Sequence, residues 1–201
     1  MIGIMAYGSL IDDPGAEIGA ATVSIIEGLT TPFCIEFARK SRTRNFAPTL
    51  VPVDSSGEGA KCVVRVLRSD ITERHAMDML WRRETRSSQH RAYSAPENPG
   101  PNTVLVKRLP GYSGLHVVLY TSIAANIEPL TPVKLAELAI ASVRPDSPST
   151  RKDGISYLIS VKRAGIVTPL MPEYEKEILR QTGTKTLEQA FNQAAAKSVN
   201  S

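Results

Sequence analysis

Two cysteines, three histidines and one tryptophan leave this chain little material for several kinds of chemistry. Cys34 and Cys62 have no second pair with which to build a thiolate zinc cluster. In a chain read as cytoplasmic, two thiols are expected to be reduced core residues rather than a disulfide. His75, His90 and His116 show no ligand-like spacing, so no metal site is expected. A Ser-His-Asp hydrolase would need a Gly-x-Ser-x-Gly elbow, and there is none. With neither Gly-x-Gly-x-x-Gly nor a phosphate-binding loop, no nucleotide cofactor is expected. No stretch approaches the roughly 20 apolar residues of a membrane span. The opening apolar run lacks a preceding cationic segment, so secretion is not expected either.

What is present fits a compact globular protein. Hydrophobic residues make up 42% and charged residues 22% of the 201 positions, which is ordinary and large enough for one full core. A single domain over residues 1–195 is expected, with 196–201 a frayed tail. The net charge is +4, and its densest source is Arg39-Lys40-Ser41-Arg42-Thr43-Arg44-Asn45-Phe46. That stretch fits a solvated loop; it could also contact phosphates, or meet a substrate carboxylate through Arg39, Arg42 or Arg44. Aromatic residues make up only 5% of the chain, leaving little stacking surface, so nucleic acid is not the expected partner.

The residue pattern divides the chain into a β-rich first part and a helical second part. Met1 to Met5, Ala21 to Ile26, Phe33 to Phe37, Thr49 to Val53, Lys61 to Leu67, Asn102 to Lys107 and Leu115 to Tyr120 are apolar, β-branched or alternating, and read as strands. Ser94 to Pro101 is too rich in proline for regular structure. Helices are expected over Lys134–Val143, Ser149–Arg163, Pro172–Thr182 and Leu187–Ala195, with Pro132 and Pro172 suited to first turns.

Two segments carry chemical interest. Ala6-Tyr7-Gly8-Ser9-Leu10 closes the first strand in a turn, where glycine permits positive φ and successive amides can face one anion or oxyanion. A plain β-turn has the same composition. The second segment runs from Asp70 to Glu84. Asp70 and Glu73 stand at the spacing of an N-cap and its partner. Met77, Leu80, Trp81 and Glu84 then share one helical face. Either the helix ends near Glu84 with the acid in water, or an acid held on an apolar face is raised towards the range of a general base. Arg82, Arg83 or Arg86 would oppose that rise if they approached the carboxylate.

Together the two segments resemble the γ-glutamylcyclotransferase superfamily, whose members carry Tyr-Gly-Ser-Asn or Tyr-Gly-Ser-Leu after the first strand and an acid/base Glu at the end of a mid-chain helix. Here these are Tyr7-Gly8-Ser9-Leu10-Ile11 and Met79-Leu80-Trp81-Arg82-Arg83-Glu84. Leu10-Ile11 looks more like the ChaC-type branch, which degrades glutathione. Asp153 to Leu158, Gly165 to Leu170 and Tyr174 are similar to the helical tail of bacterial members. In many members the residue two before the Glu is small or polar, whereas here it is Arg82.

The resemblance implies an α+β fold, a small mixed β-barrel with flanking helices and a helical C-terminal region. It also implies an enzyme that cyclises a γ-glutamyl compound to 5-oxoproline, releasing an amine without metal or cofactor. Glu84 would be catalytic; Tyr7, Gly8, Ser9, Leu10 and Tyr120 would bind substrate, with Tyr93 a lesser member of the same pocket. Glutathione, γ-glutamyl amino acids, γ-glutamyl amines and an unrelated amide all stay open as substrates. The alternative is a barrel that binds small molecules or serves as a scaffold without catalysis.

Overall fold

The structure is a computed structural model and describes residues 1–54 and 59–199. In chain order its elements are β1 (Ile2–Ala6), α1 (Ala16–Ala21), β2 (Thr22–Thr30), β3 (Cys34–Ser41), β4 (Ala47–Val53), β5 (Lys61–Leu67) and α2 (Glu73–Thr85). Then follow β6 (Leu105–Pro110), β7 (Val117–Ser122), α3 (Pro132–Ala141), α4 (Ser147–Thr150), α5 (Gly154–Arg163), α6 (Met171–Thr182) and α7 (Leu187–Val199). The class is α+β. Two compact units contain these elements: one of residues 1–32 with 59–124, the other, among the described residues, of 33–54 with 125–199.

The first unit is built on a five-stranded sheet of order β2-β5-β1-β7-β6. β1 runs parallel to β7 and antiparallel to β5, setting Ile4 opposite both Arg65 and Leu119. Ile4, Met5 and Ala6 are all buried rather than alternating, the pattern of a central strand covered on both faces of the sheet. Among the described residues the ladders leave β2 and β6 as edges and pair β3 only with β4. The open sheet is therefore what the pairings show, and barrel closure is not among them.

α2 packs on β1, β6 and β7, and its start differs from the expected one. Thr72 is the N-cap, its hydroxyl accepting the His75 N–H at 3.2 Å. Asp70 lies in the preceding turn, where its carboxylate takes the Arg68 guanidinium at 3.1 Å. A Thr72→Ala change removes the acceptor for an otherwise orphaned helix donor and is expected to cost about 1 kcal/mol, read by denaturant unfolding. The buried face is also rotated from the expected one. Ala76, Met79 and Leu80 are buried, whereas Met77, Trp81 and Glu84 are only half-buried on its flank. At about 100° per residue the core line continues from Ala76, Met79 and Leu80 to Arg83, not to Glu84.

In the second unit β3 and β4 form a hairpin that carries the basic stretch. Arg39 to Ser41 end β3 and only Arg42–Arg44 form a short turn, so the expected loop is partly strand. The expected helix over Ser149–Arg163 is two helices, broken at Arg151, whose φ of 51° ends α4. Asp153 then caps α5, accepting the Ser156 N–H at 2.8 Å. Gly154 opens α5 against α3: a Cβ there would stand 2.7 Å from Ala139 Cα. Gly154→Ala is therefore expected to lose about 1–3 kcal/mol, measured by thermal unfolding, because backbone rather than a flexible side chain must yield. α7 continues to Val199, past the expected end at Ala195; Asn200 and Ser201 of the expected tail lie outside the described residues.

Candidate functional site

Both segments of chemical interest belong to the first unit. Tyr7 is extended and Gly8 turns the chain with φ 62°, opening a short 3-10 turn over Gly8–Leu10. The turn is tied down on several sides. The Tyr7 hydroxyl donates to Thr121 O on β7 at 2.7 Å. Leu10 sends its side chain into the core beside Ile4 and Leu80. The carbonyls that follow are taken by donors: Gly8 O by the Ile11 N–H at 3.3 Å, Ser9 O by the Asp13 N–H at 3.0 Å and Ile11 O by Arg65 Nη2 at 2.6 Å. The N–H groups of Gly8 and Ser9, by contrast, meet no acceptor among the described residues.

The helical segment meets this turn through one guanidinium. Arg83 Nη1 donates to Glu84 Oε1 at 2.5 Å, and Arg83 Nη2 donates to Ser9 Oγ at 3.4 Å. Arg83 Nε and Nη2 also donate to Asp13 O, at 3.1 and 2.5 Å. The Arg83 and Glu84 side chains are 16% and 26% exposed, so the pair stands at the rim of the core with some access to water. The Glu84 carboxylate and the Ser9 hydroxyl thus occupy the two terminal nitrogens of the same guanidinium.

The other arginines near Glu84 in sequence do different work. Arg82 is 7% exposed and forks onto Glu17, with Nε to Oε1 at 3.0 Å and Nη2 to Oε2 at 2.5 Å. The hydrogen bond to Glu17 raises its pKa against the effect of burial, and Nη1 adds a bond to Arg91 O at 2.9 Å. Arg86 is the exposed residue that ends α2 in the left-handed region, with φ 54°.

Tyr120 is half-buried on β7, next to the Thr121 that receives the Tyr7 hydroxyl, and burial pushes its phenol pKa up. Arg83 makes polar contacts that join turn and helix. Tyr93 is a core residue: its hydroxyl accepts the Val106 N–H at 3.1 Å and its own N–H donates to Asp78 Oδ1 at 2.7 Å. Arg44, in the second unit, lies 4.5 Å above the Tyr157 ring and donates to Arg151 O at 3.3 Å. That unit also has a cleft of about 390 Å³ bounded by Lys162, Glu175 and Lys185 among others, and it holds none of the expected site residues.

Cys34 and Cys62 are buried thiols, and burial raises the Cys62 pKa. No helix among the described residues is long and apolar enough to cross a membrane. No protein-family model matches the chain, and no curated protein matches it.

From the sequence Arg83 enters only as a possible opponent of Glu84. A signal for its placement is nonetheless present: Arg83 falls seven residues after Ala76, four after Met79 and three after Leu80, the helical spacing of the buried face. An arginine on that line must find polar partners at the core's edge, and the Ser9 turn and Glu84 provide them.

Proposed function

We propose that the chain is a cytoplasmic γ-glutamylcyclotransferase-like enzyme, closing a γ-glutamyl compound to 5-oxoproline and releasing an amine. The observation that carries this reading is the Arg83 guanidinium, which holds the Glu84 carboxylate and the Ser9 hydroxyl together. The acid and the turn, far apart in sequence, thereby lie at one place.

In this reaction the substrate's α-amine attacks its own side-chain amide carbonyl. A C–N bond closes the five-membered lactam and the C–N bond to the leaving amine breaks. Glu84 takes the proton that the attacking nitrogen loses and returns it to the departing nitrogen, so one carboxylate serves both steps and no net proton is consumed. The Gly8 and Ser9 N–H groups are the available donors for oxygen charge that develops at the carbonyl. Ring closure is intramolecular and asks mainly for orientation. The reading also includes the family's small barrel. It is supported by the Tyr112 hydroxyl, which donates to Thr30 O at 2.5 Å and links the turn after β6 to the end of β2, the two sheet edges.

A second reading, a binding domain without catalysis, is favoured by the Arg83–Glu84 pair itself, since the carboxylate already has a partner. The two part on a panel of glutathione, γ-glutamyl amino acids and γ-glutamyl amines followed for released 5-oxoproline and amine. Equimolar release from at least one class is expected. Binding of these compounds with no 5-oxoproline from any of them would leave the non-catalytic reading.

A further inference from the structure

We propose that the Arg83–Glu84 ion pair is a template for a zwitterionic α-amino-acid head, Arg83 taking the substrate's α-carboxylate and Glu84 its α-ammonium. The inference rests on the cyclotransferase reading of this site and names the feature of the substrate that the site selects. An α-amino acid carries its two charges on one carbon, and here adjacent residues present the two opposite charges at the same rim. Between themselves the protein charges neutralise each other at 2.5 Å, so neither half-buried group stands alone. A zwitterion replaces that one contact with two of matching sign and brings no net charge.

Arg83 has capacity for this exchange. Of the five N–H groups of a guanidinium, one directs Nε to Asp13 O, two leave Nη2 for Asp13 O and Ser9 Oγ, and one joins Nη1 to Glu84. The second hydrogen of Nη1 has no acceptor among the described residues, and the Ser9 bond at 3.4 Å is long enough to be traded for a carboxylate. The bonds to Asp13 O keep the guanidinium in place during the exchange. Asp13 Oδ2, 3.9 Å from Nη2 on a side chain 82% exposed, is too solvated to compete strongly. With the α-carboxylate on Arg83, the Gly8 and Ser9 amides are left for the scissile carbonyl oxygen. The α-amine then lies beside Glu84, the group that must deprotonate it.

The test uses the full chain and three matched probes in calorimetric titrations: L-glutamine, a γ-glutamyl amide whose 5-oxoproline release is followed in parallel, 4-aminobutanamide, which lacks the carboxylate, and glutaramic acid, which lacks the amine. Wild type is expected to bind L-glutamine about tenfold or more tightly than either truncated probe, the scale of a hydrogen bond to a charged group made or lost. Arg83→Met is expected to abolish the preference over 4-aminobutanamide and keep that over glutaramic acid; Glu84→Gln is expected to do the opposite. A merely structural Arg83 would weaken all three probes together, and that result overturns the proposal. If Arg83→Met does not fold, wild type decides with Arg83→Lys, which keeps the charge and is expected to keep the discrimination. Equal wild-type affinity for the three probes also overturns it. Discrimination without 5-oxoproline from any γ-glutamyl compound would retain the template and remove the enzyme. Release of 5-oxoproline without discrimination would retain the enzyme and remove the template.

Discussion

Glu84→Gln is expected to lower 5-oxoproline release by about 10²- to 10⁴-fold, the usual contribution of a positioned general acid/base. Glutamine keeps the shape of the side chain and a carbonyl oxygen for Arg83 Nη1, but it cannot accept the proton of the attacking amine. Little of the loss is expected to come from unfolding. The Arg83–Glu84 contact is partly exposed, at 16% and 26%, and such pairs contribute about 0–1 kcal/mol. The melting temperature is therefore expected to stay near that of wild type. Ser9→Ala makes the contrast: it removes a hydroxyl held at 3.4 Å by Arg83 and leaves the main-chain N–H groups, so turnover is expected to fall only severalfold. A Glu84→Gln enzyme that works within severalfold of wild type would take the acid/base role from Glu84.

How much of the fold is legible in the residues depends on how local each signal is. The span of β5 is legible to the residue because Lys61 to Leu67 alternates and is bounded by Gly59 and a charged turn. The Gly8 turn is legible because a strand followed by Tyr-Gly-Ser requires a bend, and φ 62° is the conformation that glycine supplies. α1 is not legible. Its six residues include Gly19 and start from Gly15 with no side-chain cap, so neither periodicity nor a start signal marks it. The break at Arg151 is hidden for a related reason, since an arginine at φ 51° is not a residue type from which a left-handed position is inferred.

The site divides in the same way. Glu84 and the turn can be singled out as residue types, but their meeting depends on Arg83, and that depends on which line of α2 faces the sheet. Met77, Leu80, Trp81 and Glu84 satisfy helical spacing as well as the buried set does, so periodicity alone cannot choose between two faces one residue, or about 100°, apart. Tyr93 shows the complementary error. A tyrosine beside a strand-like segment suits a pocket wall, yet its hydroxyl is committed to the Val106 N–H and its main chain to Asp78. Partners so distant in sequence carry no local signature, and the same is true of Glu17 with Arg82.

Glu36→Ala is expected to be the most damaging single change in the second unit, costing about 3–5 kcal/mol. Glu36 lies on β3, only 4% exposed. Its Oε1 accepts the Phe37 N–H at 2.8 Å and the Thr168 hydroxyl at 2.7 Å, and its Oε2 accepts the Leu170 N–H at 2.9 Å. Leu170 is the residue from which α6 starts, and no side chain of its own caps that helix. The carboxylate of a distant strand therefore meets a donor at the positive end of α6, where negative charge is favoured. α6 in turn carries Tyr174, whose ring lies 5.2 Å from that of Phe37. Truncation at Glu36 leaves a buried hydroxyl, a buried N–H and a part-buried N–H without their acceptor and loosens that aromatic contact. For a chain of this size the loss corresponds to a fall in melting temperature of about 6–20 °C. Removing a donor as well should restore part of it, because the penalty arises from groups left unsatisfied rather than from the pair as such. Glu36→Ala with Thr168→Val is thus expected to be less destabilised than the sum of the two single variants, by about 1 kcal/mol. Strict additivity in that cycle, or a Glu36→Ala protein within about 1 kcal/mol of wild type, would show that the start of α6 is held by other contacts.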